Sequence, residues 1–489
     1  MQNNNTCKKG FAKLIYLLLI AIGIISCKKL VSVSPPINTI TTTQVFSNDV
    51  TANAAIAGIY SSMINLSSRD YGNDQFSNGY TTLFGGMSSD ELVFYYGSAL
   101  PTYYEFNNNS LLSSNGIVGT NFWAPAYSDI YNANAVIEGI AASTSVSLHD
   151  SVKNELTGEA KFIRAFCYFY LTNLFGDVPL ALSVDFNQIN YLSRTPQSQV
   201  YAQIIQDLID AQSALPSDFS VGSGERIRPN KWAATALLAR VYLYTDSFAN
   251  AVTQATAVIN NSSLFGLDTL NGIFLANSTE AIWQLQQNTS NNGTGNATIE
   301  GYWILPNPLT TGSPIWYLSS QLLASFETGD QRKTAWIDST NDGTGTYYYP
   351  FKYKIGSSNY EVGGTATEYY MMLRLAEQYL IRAEAEAALG QIASAIADLN
   401  VIRTRAGLSP LSGSLTQTQV MAAVVQERRI ELLAEWGHRW LDLKRWGTAV
   451  STLDTISYKA GNINTNQLVW PIPFSDLKTD PNLTQNAGY

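Results

Sequence analysis

Glu431 and Glu435 stand one helical turn apart in the stretch ERRIELLAEWGHRWLDLKRWG (427–447), which also holds three of the chain's ten tryptophans and one of its two histidines. Two carboxylates are what glycoside hydrolysis requires, one to protonate the leaving group and one to activate water or attack the sugar. That chemistry places the carboxyl groups on either side of a bond, whereas two side chains from one turn of one helix point the same way. The competing reading is a solvated helix face, with Arg428–Glu431 and Glu435–Arg439 paired at helical spacing. Ile430, Leu433, Ala434 and Leu441 mark a core-facing stripe, and Gly437 permits a bend or close packing between two helical pieces. Trp436, Trp440 and Trp446 then wedge that joint while the charged groups lace its outer face. The stretch reads as scaffold. His149 and His438 show no paired metal-ligand spacing, and neither a nucleophile-elbow nor a phosphate-loop motif occurs. No metal, no cofactor and no enzymatic activity are expected.

Aromatic residues on irregular segments offer a different chemistry. A sugar ring presents a C–H-rich face that stacks on a flat aromatic ring, while its hydroxyls seek Asp, Asn, Gln or Arg at the rim. Rigid aromatics supply that contact area with little rotamer entropy to lose. Two stretches fit. RDYGNDQFSNGY together with DELVFYYGS offers Arg69, Tyr71, Asn73, Asp74, Tyr80, Tyr95 and Tyr96. EGYWILPNP together with SPIWYLSS offers Trp303, Trp316 and Tyr317. Some of these rings are expected to pack beneath loops instead. Tyr347–Tyr349, with Phe351 and Tyr353, read as a strand edge and stay outside the candidate set.

Composition narrows the possible partners. The formal net charge is −9, which disfavours nucleic acid, since a phosphate ligand requires a basic surface. Only 14% of residues are charged, so neutral hydrogen-bonding groups and aromatic planes must carry much of the surface chemistry. Residues 1–26 read as a signal peptide, with Lys8, Lys9 and Lys13 ahead of the apolar run Leu14–Ile25. That run is shorter than the roughly 20 residues of a bilayer span. It leads into Ile24-Ile25-Ser26-Cys27, which resembles a bacterial lipobox and makes Cys27 the expected acylated N-terminus. Loss of the three signal-peptide lysines would take the net charge to −12. Cys167 lies alone in an apolar run and reads as a small core side chain, leaving no disulfide framework.

Residues 27–45 read as a lipidated N-terminus and tether. Helical patterning then dominates 46–261, and 262–489 divides into a loop and strand insert (262–365), helices (366–450) and a C-terminal tail. In 371–407, Met372, Ala376, Tyr379, Leu380, Ala383 and Ala387 fall on one helical face. Gly390 supplies a turn, and Ile392, Ala395, Ile396, Leu399 and Ile402 mark a second helix. Ala239, Phe248, Ala251 and Val252 superpose on Ala383, Ile392, Ala395 and Ile396 at one fixed offset. Two copies of a helix–turn–helix of roughly 34 residues predict tetratricopeptide-like pairs, and 151–175 with 196–215 form a further candidate pair. The expected fold is mainly α, with such pairs supporting a loop-rich ligand-binding half that carries a few short strands.

In EAKFIRAFCYFYLTNLFGDVPL (159–180), SFETGDQRKTAWI (325–337), YMMLRLAEQYLIRAEAEAALG (370–390), LNVIRTRAGL (399–408) and the tail WPIPFSDLKTDPNLTQNAGY (470–489), the chain resembles the SusD/RagB family of nutrient-binding lipoproteins. The stretch 427–447 belongs to the same set, as does the Asp330-x-Arg332 element. The resemblance implies a lipid-anchored, surface-exposed outer-membrane protein that caps a SusC-type TonB-dependent transporter. It implies capture of an oligosaccharide, or in some branches a peptide, and its delivery inward without chemistry. It also places the ligand arc on loops like those carrying Tyr71–Tyr96 and Trp303–Tyr317. An enzyme or a pure helical-repeat scaffold is the less favoured reading. Lys28 and Lys29, directly after Cys27, depart from the acidic residues that often follow the cysteine in surface-exported members.

Overall fold

Small residues at helical spacing bring the longer helices together in pairs. The computed structural model describes residues 41–65, 75–291 and 293–489, so the expected signal peptide, Cys27 and the candidates Arg69, Tyr71, Asn73 and Asp74 lie outside the described residues. The fold is mainly α. Its longer helices are α1 (Asp49–Ile64), α2 (Tyr80–Ser88), α3 (Ala124–Ala142), α4 (Asp150–Phe175), α5 (Gln197–Ala214), α6 (Lys231–Tyr244) and α7 (Phe248–Ile259). After the insert come α8 (Leu375–Ala388), α9 (Ile392–Arg405), α10 (Gln417–Glu431) and α11 (His438–Arg445).

Helices α3, α4 and α5 pack in succession, and the α6–α7 hairpin stacks on the α8–α9 hairpin. Asn230 caps α6, its side-chain oxygen accepting from the Trp232 and Ala233 amides at 2.9 and 3.1 Å. The two hairpins turn alike. Asp246 and Gly390 occupy equivalent positions with φ of +53° and +77°. The next amide, Ser247 in one and Gln391 in the other, donates back to the Tyr242 or Glu386 carbonyl at 2.8 Å in both. Ala239, Ala251 and Ala255 of the first hairpin meet Ile381 and Ala385 of the second; methyl-sized side chains allow that approach. One start differs from expectation. Met372 belongs not to α8 but to a strand, Tyr370–Arg374, buried along its whole length. A short, continuously apolar run has no amphipathic period to separate strand from helix.

The strands are short and form two-stranded antiparallel ribbons among the described residues. They are β1 (Leu92–Phe94), β2 (Val178–Pro179), β3 (Arg194–Thr195), β4 (Ala281–Leu285), β5 (Trp316–Leu318), β6 (Ile337–Asn341), β7 (Thr346–Pro350) and β8 (Tyr370–Arg374). β1 pairs with β5, β4 with β8 and β6 with β7. Because β1 and β4 reach such distant partners, residues from both sequence regions share one continuous core.

The stretch 427–447 is scaffold, but its charges are not on an outer face. Glu431 is fully buried and Glu435 is only 7% exposed. Arg374, the last residue of β8, binds Glu431 at 2.6 Å, Glu435 at 2.7 Å and Glu280 at 2.9 Å. Arg332 reaches Glu427 at 3.0 Å and Glu431 at 3.1 Å, and Arg405 and Lys352 also pair with Glu431 and Glu435 respectively. The helical-spacing pairs do not form. Arg428 turns to Asp442 at 2.8 Å, and Arg439 reaches Asp90 at 2.7 Å. The physical reason is that Arg332, Arg374 and Arg405 arrive from other elements and satisfy the carboxylates inside the core. Burial alone would raise the Glu431 pKa, yet the three guanidiniums hold it well below the usual carboxylate range. The Asp-x-Arg element enters the same network. Asp330 caps a short helix, accepting from the Arg332 amide at 3.0 Å, and pairs with its guanidinium at 2.8 Å.

Trp436 does wedge the joint, between Phe166, Tyr170 and Tyr370 at centroid distances of 5.3, 5.1 and 5.4 Å. Gly437 (φ +64°) starts α11 against the backbone of α2, where a Cβ on Gly85 would lie 2.7 Å from the Gly437 Cα. No side chain fits at that crossing.

Candidate ligand-binding surface

The β1–β5 ribbon sorts its aromatics by strand alternation. Leu92 faces Leu318 and Phe94 faces Trp316 on the buried side, while Val93 pairs with Tyr317 on the other. Tyr95 continues the Val93 face, its amide donating to the Ile315 carbonyl at 3.0 Å. Trp316 is therefore a correction to the expected binding set. It is 2% exposed, and its indole N–H points to the Met87 sulfur at 3.3 Å. Tyr80 is likewise buried, with its ring 4.9 Å from Phe84.

Tyr95, Tyr96 and Tyr317 come together, and a residue outside the candidate set joins them. Tyr347 of β7 stands 5.1 Å from Tyr317 and 5.2 Å from Tyr95, while Tyr95 and Tyr96 are 5.2 Å apart. These contacts are edge-to-face, with interplanar angles of 66° to 89°, the arrangement the aromatic quadrupole favours. Tyr96 is 45% exposed, and Tyr95, Tyr317 and Tyr347 are half-buried. Asp342, in the β6–β7 turn, locks the group. Its Oδ2 accepts from the Tyr95 hydroxyl at 2.5 Å, and its Oδ1 accepts from the Thr344 hydroxyl and amide at 2.7 and 2.9 Å. Those hydrogen bonds, the Tyr95 one foremost, hold the Asp342 carboxyl below its usual range. It is a permanent acceptor beside four aromatic rings. Partial burial, then the neighbouring Tyr347, pushes the Tyr317 hydroxyl up, keeping it a neutral donor.

Sequence reasoning set Tyr347 aside as part of a strand edge, and a strand it is. The overlooked signal is the Asn341-Asp342-Gly343 turn, which puts the first tyrosine of the run at a hairpin tip. Farther along that strand the core takes over, and Tyr349 is fully buried.

Trp303 belongs to a second group. It sits on a helix, Ile299–Ile304, capped by the Thr298 hydroxyl, and meets Tyr302 edge-on at 5.6 Å; Tyr302 in turn contacts Tyr360 at 5.4 Å. No ring contact among the described residues joins this group to Tyr95. The Trp303 ring is partly buried, and its indole N–H has no partner among the described residues.

Four acidic side chains buried in the core are committed or neutral. Glu431 and Glu435 are saturated by cations. Glu91 and Glu300 are fully buried, and burial pushes each to about 8. Among the described residues no cluster of His, Cys, Asp and Glu could hold a metal ion. What the surface offers is stacking and hydrogen bonding.

Paired helices carrying a loop- and ribbon-borne aromatic surface define a ligand-binding class of protein. The comparisons with known proteins make the assignment specific. Residues 327–489 match the profile described as SusD family, and residues 98–243 match one described as starch-binding, associating with outer membrane. SusD-like protein P2 of Formosa agariphila is 28% identical over 432 residues, covering 79% of this chain and 83% of that one. A structure of a laminarin binding SusD-like protein superposes with a TM-score of 0.73 at 26% identity, over 91% of this chain and all of the other. A SusD superfamily protein from Bacteroides vulgatus gives a TM-score of 0.77 at 22% identity, over 91% of this chain and all of that one. The chain belongs to the SusD family.

Proposed function

We propose that the protein is a non-catalytic glycan-binding lipoprotein of the outer membrane, which captures an oligosaccharide and hands it to a SusC-type TonB-dependent transporter. The observation that carries this reading is the group of Tyr95, Tyr96, Tyr317 and Tyr347 around the ionised Asp342. Rings fixed at angles to one another offer stacking faces to a saccharide, and a fixed carboxylate accepts from its hydroxyls. The laminarin-binding relative of the same fold and the starch-binding description of the second family profile support the ligand class. In this reading Arg69, Tyr71, Asn73 and Asp74 add a polar and aromatic rim, Trp303 extends the surface, and Cys27 carries the lipid.

The test is affinity electrophoresis and calorimetry of the full-length protein against laminarin, starch and a panel of other glycans. Tyr95→Ala and Tyr347→Ala should each weaken the glycan that binds by about tenfold, or about 1.4 kcal/mol, with the fold intact by circular dichroism. Unchanged affinity in both variants would move the site elsewhere. Release of new reducing ends from a bound glycan would show a hydrolase instead.

A further inference from the structure

A concavity lies where α3, the segment after β2 and the C-terminal tail meet. Its volume is about 470 Å³, within the range of small-molecule sites. Trp123, Tyr127 and Tyr131 recur every fourth residue and form one aromatic stripe along its wall. Trp123 lies 4.9 Å from Tyr127, and Tyr131 at the mouth is 49% exposed. Ile189, Leu192 and Leu483 complete an apolar wall.

The polar groups of this groove are mostly spoken for. The Tyr127 hydroxyl donates to the Pro179 carbonyl at 2.8 Å. The Asn134 amide donates to the Ala181 carbonyl at 3.0 Å and accepts from Arg164 at 2.7 Å. The Ser128 hydroxyl remains, with two carboxylates, Asp476 and Asp480, on and just after the helix Phe474–Thr479. Asp476 accepts from the Ser475 hydroxyl through Oδ2 and Asp480 from the Asn482 amide through Oδ1, each at 2.8 Å. The second oxygen of each has no hydrogen-bond partner among the described residues. Among the described residues no Lys, Arg or His lines the groove. The nearby cations are engaged: the Lys478 ammonium sits 4.4 Å over the Phe474 ring, and Arg194 binds the Asp177 and Thr484 carbonyls.

We propose that this groove is a binding site for a small organic cation with an apolar body, an aryl- or alkylammonium. The body lies along the aromatic stripe and the head group is held by Asp476 and Asp480. Aromatic faces and carboxylates both attract an ammonium group. The same walls reject an anion, for which they hold no countercharge. The site is separate from the tyrosine group and does not depend on the glycan reading.

Tryptamine is a direct probe, with indole-3-acetate as the anion of similar shape. Calorimetric titration of the full-length protein near pH 7 should show saturable tryptamine binding and at least tenfold weaker binding of indole-3-acetate. An Asp476→Asn/Asp480→Asn double variant should weaken tryptamine by tenfold or more, and Tyr131→Ala by several-fold, without altering retention on glycan. No saturable tryptamine binding would overturn the proposal. So would equal affinity for the two probes, or unchanged tryptamine affinity in the double variant. Should the double variant misfold, the amine-to-acid discrimination of the unaltered protein and the Tyr131→Ala titration decide the matter alone.

Discussion

Replacing Glu431 by Gln removes one charge from the middle of the buried network and leaves the volume unchanged. Glu431 is wholly inaccessible, and its two oxygens face Arg332, Arg374 and Arg405, whose side chains are 1%, 2% and 9% exposed. Glutamine still offers one acceptor, but its amide N–H groups must point at guanidinium donors. Removing one partner of a buried ion pair costs about 3–5 kcal/mol, because the charge left behind is neither solvated nor compensated. An exposed pair is worth about 0–1 kcal/mol. Glu431→Gln should therefore lower stability by about 3–5 kcal/mol, read as a lower urea midpoint at constant m. Asp150→Asn, at the exposed Lys153 pair, should leave the midpoint where it was. Glycan affinity of the folded fraction should be unchanged by Glu431→Gln. A stability loss below about 1 kcal/mol would refute the buried-network reasoning. Lost binding with a normal midpoint would make 427–447 part of the site after all.

Asp129 gives a pH-dependent test. It is fully buried, neither carboxyl oxygen has a partner among the described residues, and burial pushes its pKa to about 8. A folded-state pKa above the unfolded value of 3.8 means that the folded form holds the proton more tightly. That stabilisation is complete below about pH 4 and is lost as pH rises to about 8. Asp129→Asn should thus be near neutral at pH 4 and stabilising at pH 8 and above, by on the order of 5 kcal/mol. A pH-independent difference between the urea midpoints would refute it; Glu91 and Glu300, shifted alike, leave some pH dependence in the variant. Trp316→Ala should cost about 3–5 kcal/mol of stability as a core truncation, with any binding loss tracking the unfolded fraction; full stability with weakened binding would return Trp316 to the surface. Cys27→Ala should release the protein from membranes, and persistent membrane retention or acyl labelling would exclude that anchor.

The hairpins were legible because their signal is local. Apolar spacing, a left-handed turn residue and small side chains at contact positions all fall within one helix–turn–helix, and the copy at a fixed offset repeats them. The ribbons were not legible in the same way. Whether Trp316 or Tyr317 faces solvent depends on the register of β5 against β1, a strand from a distant part of the sequence. A one-residue slip would exchange the two rings. Tyr347 was missed for a related reason: its neighbours Tyr95, just after β1, and Tyr317, in β5, come from distant parts of the sequence.

The charged stretch shows the same limit with the sign reversed. Local spacing could pair Glu431 only with Arg428, and Glu435 only with Arg439, so the charges seemed destined for solvent. Their real partners leave Asp330–Arg332, β8 and the end of α9, and meet inside the core. Each of these groups is costly alone and tolerable only with the others present, which is the behaviour of a frame and not of a catalytic pair. A buried carboxylate held ionised by three guanidiniums, its pKa kept well below the usual range, is a poor proton acceptor. The tyrosine group is built the opposite way. Its rings lie at ribbon edges and a hairpin tip, half-exposed, with Asp342 accepting from the Tyr95 hydroxyl. Truncating a ring there removes contact area that faces outward, while the packing beneath is supplied by Phe94 and Trp316. Substitutions in the tyrosine group should therefore leave intact the network that holds the helices and ribbons together.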